Sequence, residues 1–510
     1  MQTLKKYYNQ NPLWVILLAA LFFRMLAVVF SKGFGWIDDQ FLIIEIAQSW
    51  IDGSDYYGWL PSTDGTNEPK GFSFFYVGLH YLLLSFLEWV NIFDPQGKMY
   101  VVRFLHALWS LLIVFFGYKI TLKLSEQKTA SLVGWMMALL WFFPFLSVRN
   151  LVEFVSIPLL MWGTYLTVQS SKSTKWSTWI WVGILFGLAF NIRMQTLLFS
   201  GGIGIVLLFS KRWKEALLVG LGTIGIIAVI QGGIDYLVWD EPFIQLKSYV
   251  LYNMEHAADY TTGPWYVYLL FLLGILIPPI SIFIFWGWLR SWKKLLILFV
   301  PTLLFLLFHS YYPNKQERFV ITIVPFLIIA GTIGWQQIVL KYKSNKALFG
   351  LNKYSWYFFW TINLILLLPV TLIYSKKARV EAMEHLSHYP ELEYFLIEDI
   401  NKNVLRFPPM FYLEKWVPYD AMMERDKFSS FKKKKDWKII SNQPGFVLFF
   451  QPDNIEQRVK KMKTVFPQLV FDEMIQPGKA DKVLHWLNPI NDNQNIYIYR
   501  NEAVISTKSK

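Results

Sequence analysis

The chain has 510 residues, 54% of them hydrophobic, 18% aromatic and 17% charged. A soluble globular protein needs more polar surface than this, so the composition excludes one and requires repeated passage through a bilayer. The net charge of +13 makes no nucleic-acid track, because the Lys and Arg lie in short loops between apolar runs and in a mixed-charge tail; the absence of Cys excludes disulfides, thiolate zinc sites and a cysteine nucleophile.

Twelve apolar runs of near-spanning length fall around residues 13–30, 72–90, 101–120, 130–147, 152–170, 179–191, 196–210, 216–231, 264–287, 295–310, 319–339 and 355–374. The first follows Lys5 and Lys6 and has no small-residue cleavage site, so it reads as a retained helix and not as a signal peptide. Next comes Phe34-Gly35-Trp36-Ile37-Asp38-Asp39-Gln40, where two adjacent carboxylates stand within about ten residues of the first run. Carboxylates so close to a membrane are functional suspects. The competing reading is that they cap the short helix expected over 40–50.

Positive charge collects in loops holding Lys119, Lys123 and Lys128; Lys172 and Lys175; Lys211, Arg212 and Lys214; Arg290, Lys293 and Lys294; and Lys341, Lys343 and Lys346. These loops and the N-terminus are therefore expected to be cytoplasmic. The assignment fails if all twelve runs cross. The run 72–90, with Gly71, Ser73, Gly78, His80, Ser85 and Glu88 in or beside it, is the least lipid-like and is expected to be re-entrant or interfacial. The predicted architecture is a polytopic α-helical membrane domain over 1–375 with about eleven crossings plus that segment. A soluble α/β domain follows over 376–510 on the outer, periplasmic or lumenal face, with strands expected at 445–450, 469–471 and 495–499 and an amphipathic helix at 455–462. The basic run 432–435 reads as a solvated loop, with anionic head groups as the lesser alternative.

In this topology the outer side receives the turn with Arg149, Asn150 and Glu153, the turn with Arg193, the loop 232–263 and the turn 309–318. In Tyr311-Tyr312-Pro313-Asn314-Lys315-Gln316-Glu317-Arg318-Phe319, Pro313 ends the preceding helix and three charges lie within four residues. Lys315 as a point charge and Arg318 as a fork could hold a phosphate, with Glu317 orienting one of them. The alternative is a set of interfacial anchors with a local Glu–Lys pair worth about 0–1 kcal/mol. His256 and His309 fall near the outer side and could touch phosphate or sugar, although a lone His at a boundary is commonly a hydrogen-bonded structural residue. Asp38, Asp39 and His256 could bind a divalent cation, but no full ligand set is visible and no metal is predicted. Of Trp36, Tyr56, Tyr57, Trp59, Trp265 and Tyr266, most belong to the interfacial belt and the rest could stack on sugar rings.

The Tyr-Pro-Asn-Lys-Gln-Glu-Arg-Phe stretch, followed by Pro325, resembles the His-Lys-Glu-x-Arg-Phe signature of glycosyltransferase family 22, the polyprenyl-phosphate-mannose-dependent mannosyltransferases of the GT-C superfamily. Asn314 stands where the family has His, and Gln316 where it often has Glu. Asp38-Asp39 is similar to the family's His-Pro-Asp-Glu, with Trp36-Ile37 in place of His-Pro and Glu45-Ile46-Ala47 continuing it. Arg149 with Glu153, Arg193-Met194-Gln195-Thr196, and Asp235-Tyr236 with Asn253 and 262–266 match further family features in order, over roughly residues 13–340. The resemblance implies an inverting transfer of a sugar, mannose first among candidates, from a polyprenyl-phosphate donor to a glycan or glycolipid acceptor. It implies Asp38 as base, Asp39 as orienting either that base or the acceptor, and Lys315, Arg318, Arg193 and Arg149 as donor-phosphate ligands. Glu153, Glu317, His256 and His309 would support them. The physical reading agrees, since one carboxylate must take the acceptor proton while cations stabilise the departing phosphate.

Another lipid-phosphate-linked sugar is the alternative within this chemistry. A lipid or polysaccharide transporter would instead predict charges within spans and a repeated helix pattern; no such repeat is seen, and the polar residues concentrate in the outer turns. The topology is open to direct test: cysteines placed at Ser173 and Lys343 should label from the cytoplasmic side, and those at Ser62 and Ser441 from the outer side. Labelling of Ser173 from outside would overturn the assignment.

Overall fold

The computed structural model describes residues 10–62, 64–170, 175–400, 405–488 and 493–508, so Lys172 and Ser173 lie outside the described residues. The chain forms two compact units, one of Met1–Val29, Tyr57–Leu82 and Tyr100–Leu372, the other of Phe30–Tyr56, Leu83–Met99 and Ile373–Lys510. The second unit is therefore not confined to the tail after 375: it takes in the segment that carries Asp38 and Asp39.

The first unit is helical. Five described helical stretches are long and apolar enough to cross a membrane: Pro12–Phe30, Pro95–Leu124, Trp213–Trp239, Glu317–Lys341 and Lys346–Thr371. Helix length and composition thus support five crossings, or six with one bent pair counted as a span, against the eleven expected. Helix Phe74–Trp89, at 16 residues, reaches about 24 Å, less than the ~30 Å hydrocarbon layer. The expected single span at 264–287 is two helices, Val267–Ile275 and Ile280–Arg290, bent by 120°. Pro278 and Pro279 lie between them and supply no amide to continue the helix.

The expected span at 130–147 is also divided. Helix Gln127–Leu139 stops at Leu140, which is extended, and a short turn, Phe143–Leu146, follows. A break among apolar helices frees backbone groups that water cannot reach, so side chains must take them. Arg24, fully buried in helix Pro12–Phe30, donates to the carbonyls of Ala138 at 3.3 Å and Met137 at 3.4 Å, and through Nε to Ser110 at 2.7 Å. Asn363 donates to the Leu139 carbonyl at 2.7 Å and accepts from Trp141 N at 2.9 Å. Trp141 Nε1 in turn donates to Ile275 O, at the end of the first helix of the bent pair, at 3.0 Å.

In the second unit, a five-stranded mixed sheet runs in the order β2-β1-β3-β5-β4. The strands are β1 Phe395–Asp399, β2 Tyr419–Met423, β3 Phe446–Phe450, β4 Leu469–Ile475 and β5 Ile496–Asn501. β1 is parallel to both neighbours, whereas β5 is antiparallel to β3 and β4. β1 and β3 are buried along their whole length, which fits central strands covered on both faces. Helix Ile455–Lys463 and the turn Phe428–Lys434 lay Val459, Met462 and Phe431 against Leu396, Val447 and Phe449. The basic run is not simply solvated, because Lys434 and Lys435 pair with Asp420 at 2.6 and 2.9 Å.

Residues 30–56 are tied to the tail by several polar contacts. Gly33 bridges Ser375, and Ser375 N donates to Lys32 O at 3.1 Å. Gly33 has φ 71°, and a Cβ there would lie 1.9 Å from Ser375 O, so glycine is required on both counts. Trp416 Nε1 donates to Asp52 at 2.7 Å, and Tyr56 OH to Val417 O at 2.8 Å.

Close helix packing in the first unit rests on small residues, as expected where lipid gives no hydrophobic drive between helices. A Cβ on Gly334 would meet Gly287 O at 2.0 Å, across helices Glu317–Lys341 and Ile280–Arg290, while one on Gly350 would meet no heavy atom within 4 Å. Gly334→Ala should therefore lower the melting temperature of the detergent-solubilised protein by an overpacking cost of about 1–3 kcal/mol. Gly350→Ala should be neutral or stabilising by up to ~1 kcal/mol. Equal melting temperatures for the two variants would contradict this packing.

Candidate functional site

In the first unit, three breaks in helical path bring together residues far apart in sequence. Glu153 lies in the turn Val152–Val155, entered through the extended residue Leu151. Arg193 is extended, with φ −146° and ψ 109°, between helix Trp176–Ile192 and the 3-10 turn Met194–Thr196. Arg318 sits in the 3-10 segment Glu317–Ile323, just after the turn broken by Pro313. Arg193 Nη1 lies 3.1 Å and Arg318 Nε 3.7 Å from Glu153 Oε1, and all three side chains are at most 8% exposed.

Neighbouring groups fix this arrangement. Thr322 Oγ1 donates to Glu153 O at 3.0 Å and accepts from Arg193 Nη1 at 3.4 Å, while Arg193 Nη2 donates to Phe319 O at 3.3 Å. Arg318 Nε also donates to Gln316 Oε1 at 2.9 Å. Two buried guanidiniums thus share Glu153 Oε1, and Glu153 Oε2 and Arg193 Nε have no hydrogen-bond partner. Such a group of charges suits an anion, because desolvated guanidiniums gain most from a second negative partner.

The remaining charges of the 309–318 turn are placed differently. Lys315 is 7% exposed and directs Nζ to the carbonyls of His309 and Ser310, each at 2.8 Å, and to that of Tyr312. Those three bonds use all its donors and close the C-terminal end of helix Leu296–Tyr311. Burial lowers its pKa, and the Tyr268 ring lies 5.3 Å from the ammonium. Glu317 is exposed while Arg318 is buried, so the carboxylate that orients Arg318 is Glu153 and not Glu317; successive residues of a 3-10 turn point about 120° apart.

His309 is buried, bonds Phe305 O through Nδ1 at 2.9 Å and stacks on the Phe305 ring. His256 bonds Tyr252 O at 3.1 Å and stacks on the Tyr252 ring. Both thus make local bonds to the carbonyl four residues earlier. Arg149 is buried with its guanidinium 4.5 Å from the Phe145 ring. Asp235 accepts from Gln231 Nε2 at 2.9 Å and Gln245 N at 3.1 Å, and so fastens the start of helix Ile244–Glu255.

In the second unit the carboxylate pair does not precede the expected 40–50 helix but lies within a first helical turn, Ile37–Asp39, followed by a π turn, Gln40–Ile44, and helix Glu45–Ile51. Asp39, 3% exposed, accepts from Trp36 N at 2.8 Å and Gly35 N at 3.1 Å, which is the helix-capping role. Asp38 is partly exposed. The two neighbours thus differ in burial. Glu45 is fully buried and accepts from Gln40 Nε2 at 3.3 Å. Among the described residues, no group of three or more His, Asp and Glu side chains gathers as a metal site.

Thr322 and Tyr268 escape a reading of the sequence. Thr322 had one available signal, its position four residues after Arg318. Tyr268, from a helix 47 residues earlier than Lys315, had none.

The Dol-P-Man:Man(7)GlcNAc(2)-PP-Dol alpha-1,6-mannosyltransferase of Saccharomyces cerevisiae is 23% identical over 212 residues, 39% of this chain and 37% of the yeast protein. The chain thus spans little more than a third of that relative. GPI mannosyltransferase 3 of Debaryomyces hansenii is 20% identical over 422 residues, 76% of this chain and 70% of that protein. Among solved structures, ArnT from Cupriavidus metallidurans bound to undecaprenyl phosphate superposes with a TM-score of 0.59 at 12% identity, covering 96% of this chain and 98% of ArnT. The shared fold is the polytopic GT-C fold of an integral membrane protein. The Alg9-like mannosyltransferase family matches residues 14–414, and the chain belongs to that family.

Proposed function

We propose that the protein is an inverting glycosyltransferase that moves a sugar, mannose by its family, from a polyprenyl-phosphate donor to a glycan or glycolipid acceptor on the periplasmic or lumenal face. The observation that carries this reading is the buried Glu153–Arg193–Arg318 cluster, with its two guanidiniums brought together, in a chain of the Alg9-like mannosyltransferase family. A lipid-phosphate leaving group carries negative charge that grows as the glycosidic bond breaks, and preorganised guanidiniums stabilise it. The naming of undecaprenyl phosphate in the ArnT structure supports a donor of this class.

In this reading Arg193 and Arg318 hold the donor phosphate, with Arg149 as a further cation and Glu153 setting the orientation of both forks. Lys315 acts through its positive charge and through the helix end it closes, since its ammonium bonds to three carbonyls. Asp38 takes the proton of the acceptor hydroxyl as that oxygen attacks the anomeric carbon, and the bond to the donor phosphate breaks on the opposite face. Asp39, committed to two backbone amides, holds the turn that presents Asp38.

Asp38→Asn keeps the shape but cannot accept a proton, so turnover of the purified protein should fall by about a hundredfold or more while donor binding survives. A near-normal rate would remove Asp38 from the mechanism. Asp39→Asn should instead act mainly through stability, by up to about 2 kcal/mol, because an amide offers one acceptor oxygen to two amides.

For the cationic cluster, Arg318→Lys keeps the charge and loses the fork, so transfer should weaken with little loss of folded protein. Unchanged kinetics would show that Arg318 does not hold the phosphate. Glu153→Leu leaves two buried guanidiniums without their carboxylate and should cost about 3–5 kcal/mol of stability, read as loss of folded protein in detergent.

A further inference from the structure

Helix Lys479–Leu487, between β4 and β5, carries its apolar side outward. Its single acid, Asp481, is turned inward and 4% exposed, held by the backbone amides of Gly478, Lys376 and Lys377. Val483, Trp486 and Leu487, spaced i, i+3 and i+4 and so sharing one face, are exposed together with Leu484. Trp486 is 80% and Leu487 65% exposed. A helix in water buries its apolar stripe, so this one is built for surroundings that are themselves apolar on the outside.

The start of the helix says what those surroundings are. A Cβ on Gly478, the residue before it, would lie 2.9 Å from Tyr374 O, so the helix begins against Tyr374. Tyr374 is three residues beyond Thr371, where the spanning helix Lys346–Thr371 ends. Three residues of chain reach at most about 11 Å, which keeps the start of the helix within ~15 Å of that span's end. The head-group layer on each side of a bilayer is itself roughly 5–8 Å thick, so the helix starts beside it. The chain that follows the first span is tied to the same place. Gly33, three residues after Phe30, bridges Ser375, and Ser31 Oγ donates to Ile373 O at 3.1 Å.

We infer that helix Lys479–Leu487 lies in the lipid head-group layer, with Val483, Leu484, Trp486 and Leu487 inserted toward the acyl chains. The chemistry fits that surface. An exposed Trp among aliphatic side chains has the composition of an interfacial anchor, whose indole N–H stays among the head groups. Lys479 and Lys482 are exposed on the same helix, and their long stems let the ammoniums reach lipid phosphates. The helix has no exposed acid to repel those phosphates.

The Cys-free chain allows a direct test on the full protein. A single cysteine replaces Leu487 and carries a nitroxide spin label, and the protein is placed in vesicles of phosphatidylcholine and phosphatidylglycerol. Power saturation then compares collisions of the label with oxygen, which concentrates in lipid, and with a water-soluble nickel chelate. The Leu487→Cys label should favour oxygen several-fold, at a depth of about 5–10 Å, whereas a label at Glu424→Cys, on an exposed turn of the same unit, should favour the chelate. With the label at Val483→Cys, adding Trp486→Glu and Leu487→Glu should abolish the oxygen preference, and because these side chains are exposed the protein should stay folded in detergent. A Leu487→Cys label that meets the chelate as freely as the Glu424→Cys label overturns the inference, as does an oxygen preference that survives the two glutamates. Shielding from both reagents overturns it too: the face then has a protein cover, a second copy of the chain where neighbouring labels broaden each other's spectra.

Discussion

Wherever a helix breaks among apolar helices, the carbonyls and amides it frees must be met by the protein itself, and much of the first unit is arranged around that requirement. Arg24 and Asn363 take the groups freed at Leu139–Trp141, and Trp141 extends the same service to the end of helix Val267–Ile275. Lys315 closes helix Leu296–Tyr311 in the same way. A charged side chain used like this is costly to bury alone but well compensated by several carbonyls, so these residues are structural even though their charge suggests chemistry.

The Glu153–Arg193–Arg318 cluster is the exception to this rule. Here too the chain leaves the helical path three times, and Thr322 and Phe319 O satisfy part of the cluster. Its polar groups are not fully matched, however: one carboxylate oxygen and one guanidinium nitrogen stay without hydrogen-bond partners. Buried polar networks are high-stakes, because partial satisfaction costs stability unless something binds. An anionic donor group would meet the unmatched Arg193 nitrogen, which makes this cluster, rather than the capped Lys315, the stronger phosphate candidate.

In the second unit the same distinction separates Asp39 from Asp38. Two backbone amides hold Asp39, and its neighbour is left partly exposed. The sheet shows a related economy of charge. β1 carries Glu398 and Asp399 into a buried strand, and each is met by an arginine, Arg458 at 2.8 Å and Arg406 at 2.9 Å.

The sequence by itself determined the polytopic membrane class, the family resemblance, the chain-order motifs, and β3, β4 and β5, because hydrophobic runs, short apolar strands and local spacing are properties of adjacent residues. It did not disclose β1, whose two acids read as a polar segment until their arginines are seen, nor the association of 30–56 with the tail through Gly33 and Ser375. Nor could it show that the spans at 130–147 and 264–287 are divided, since the side chains that permit those breaks come from other helices. Tertiary structure alone decided that Glu153 rather than Glu317 faces Arg318, and that Lys315 turns back onto the helix that precedes it. Both are matters of direction, and the geometry of a 3-10 turn and a helix end settles direction where a list of charges cannot.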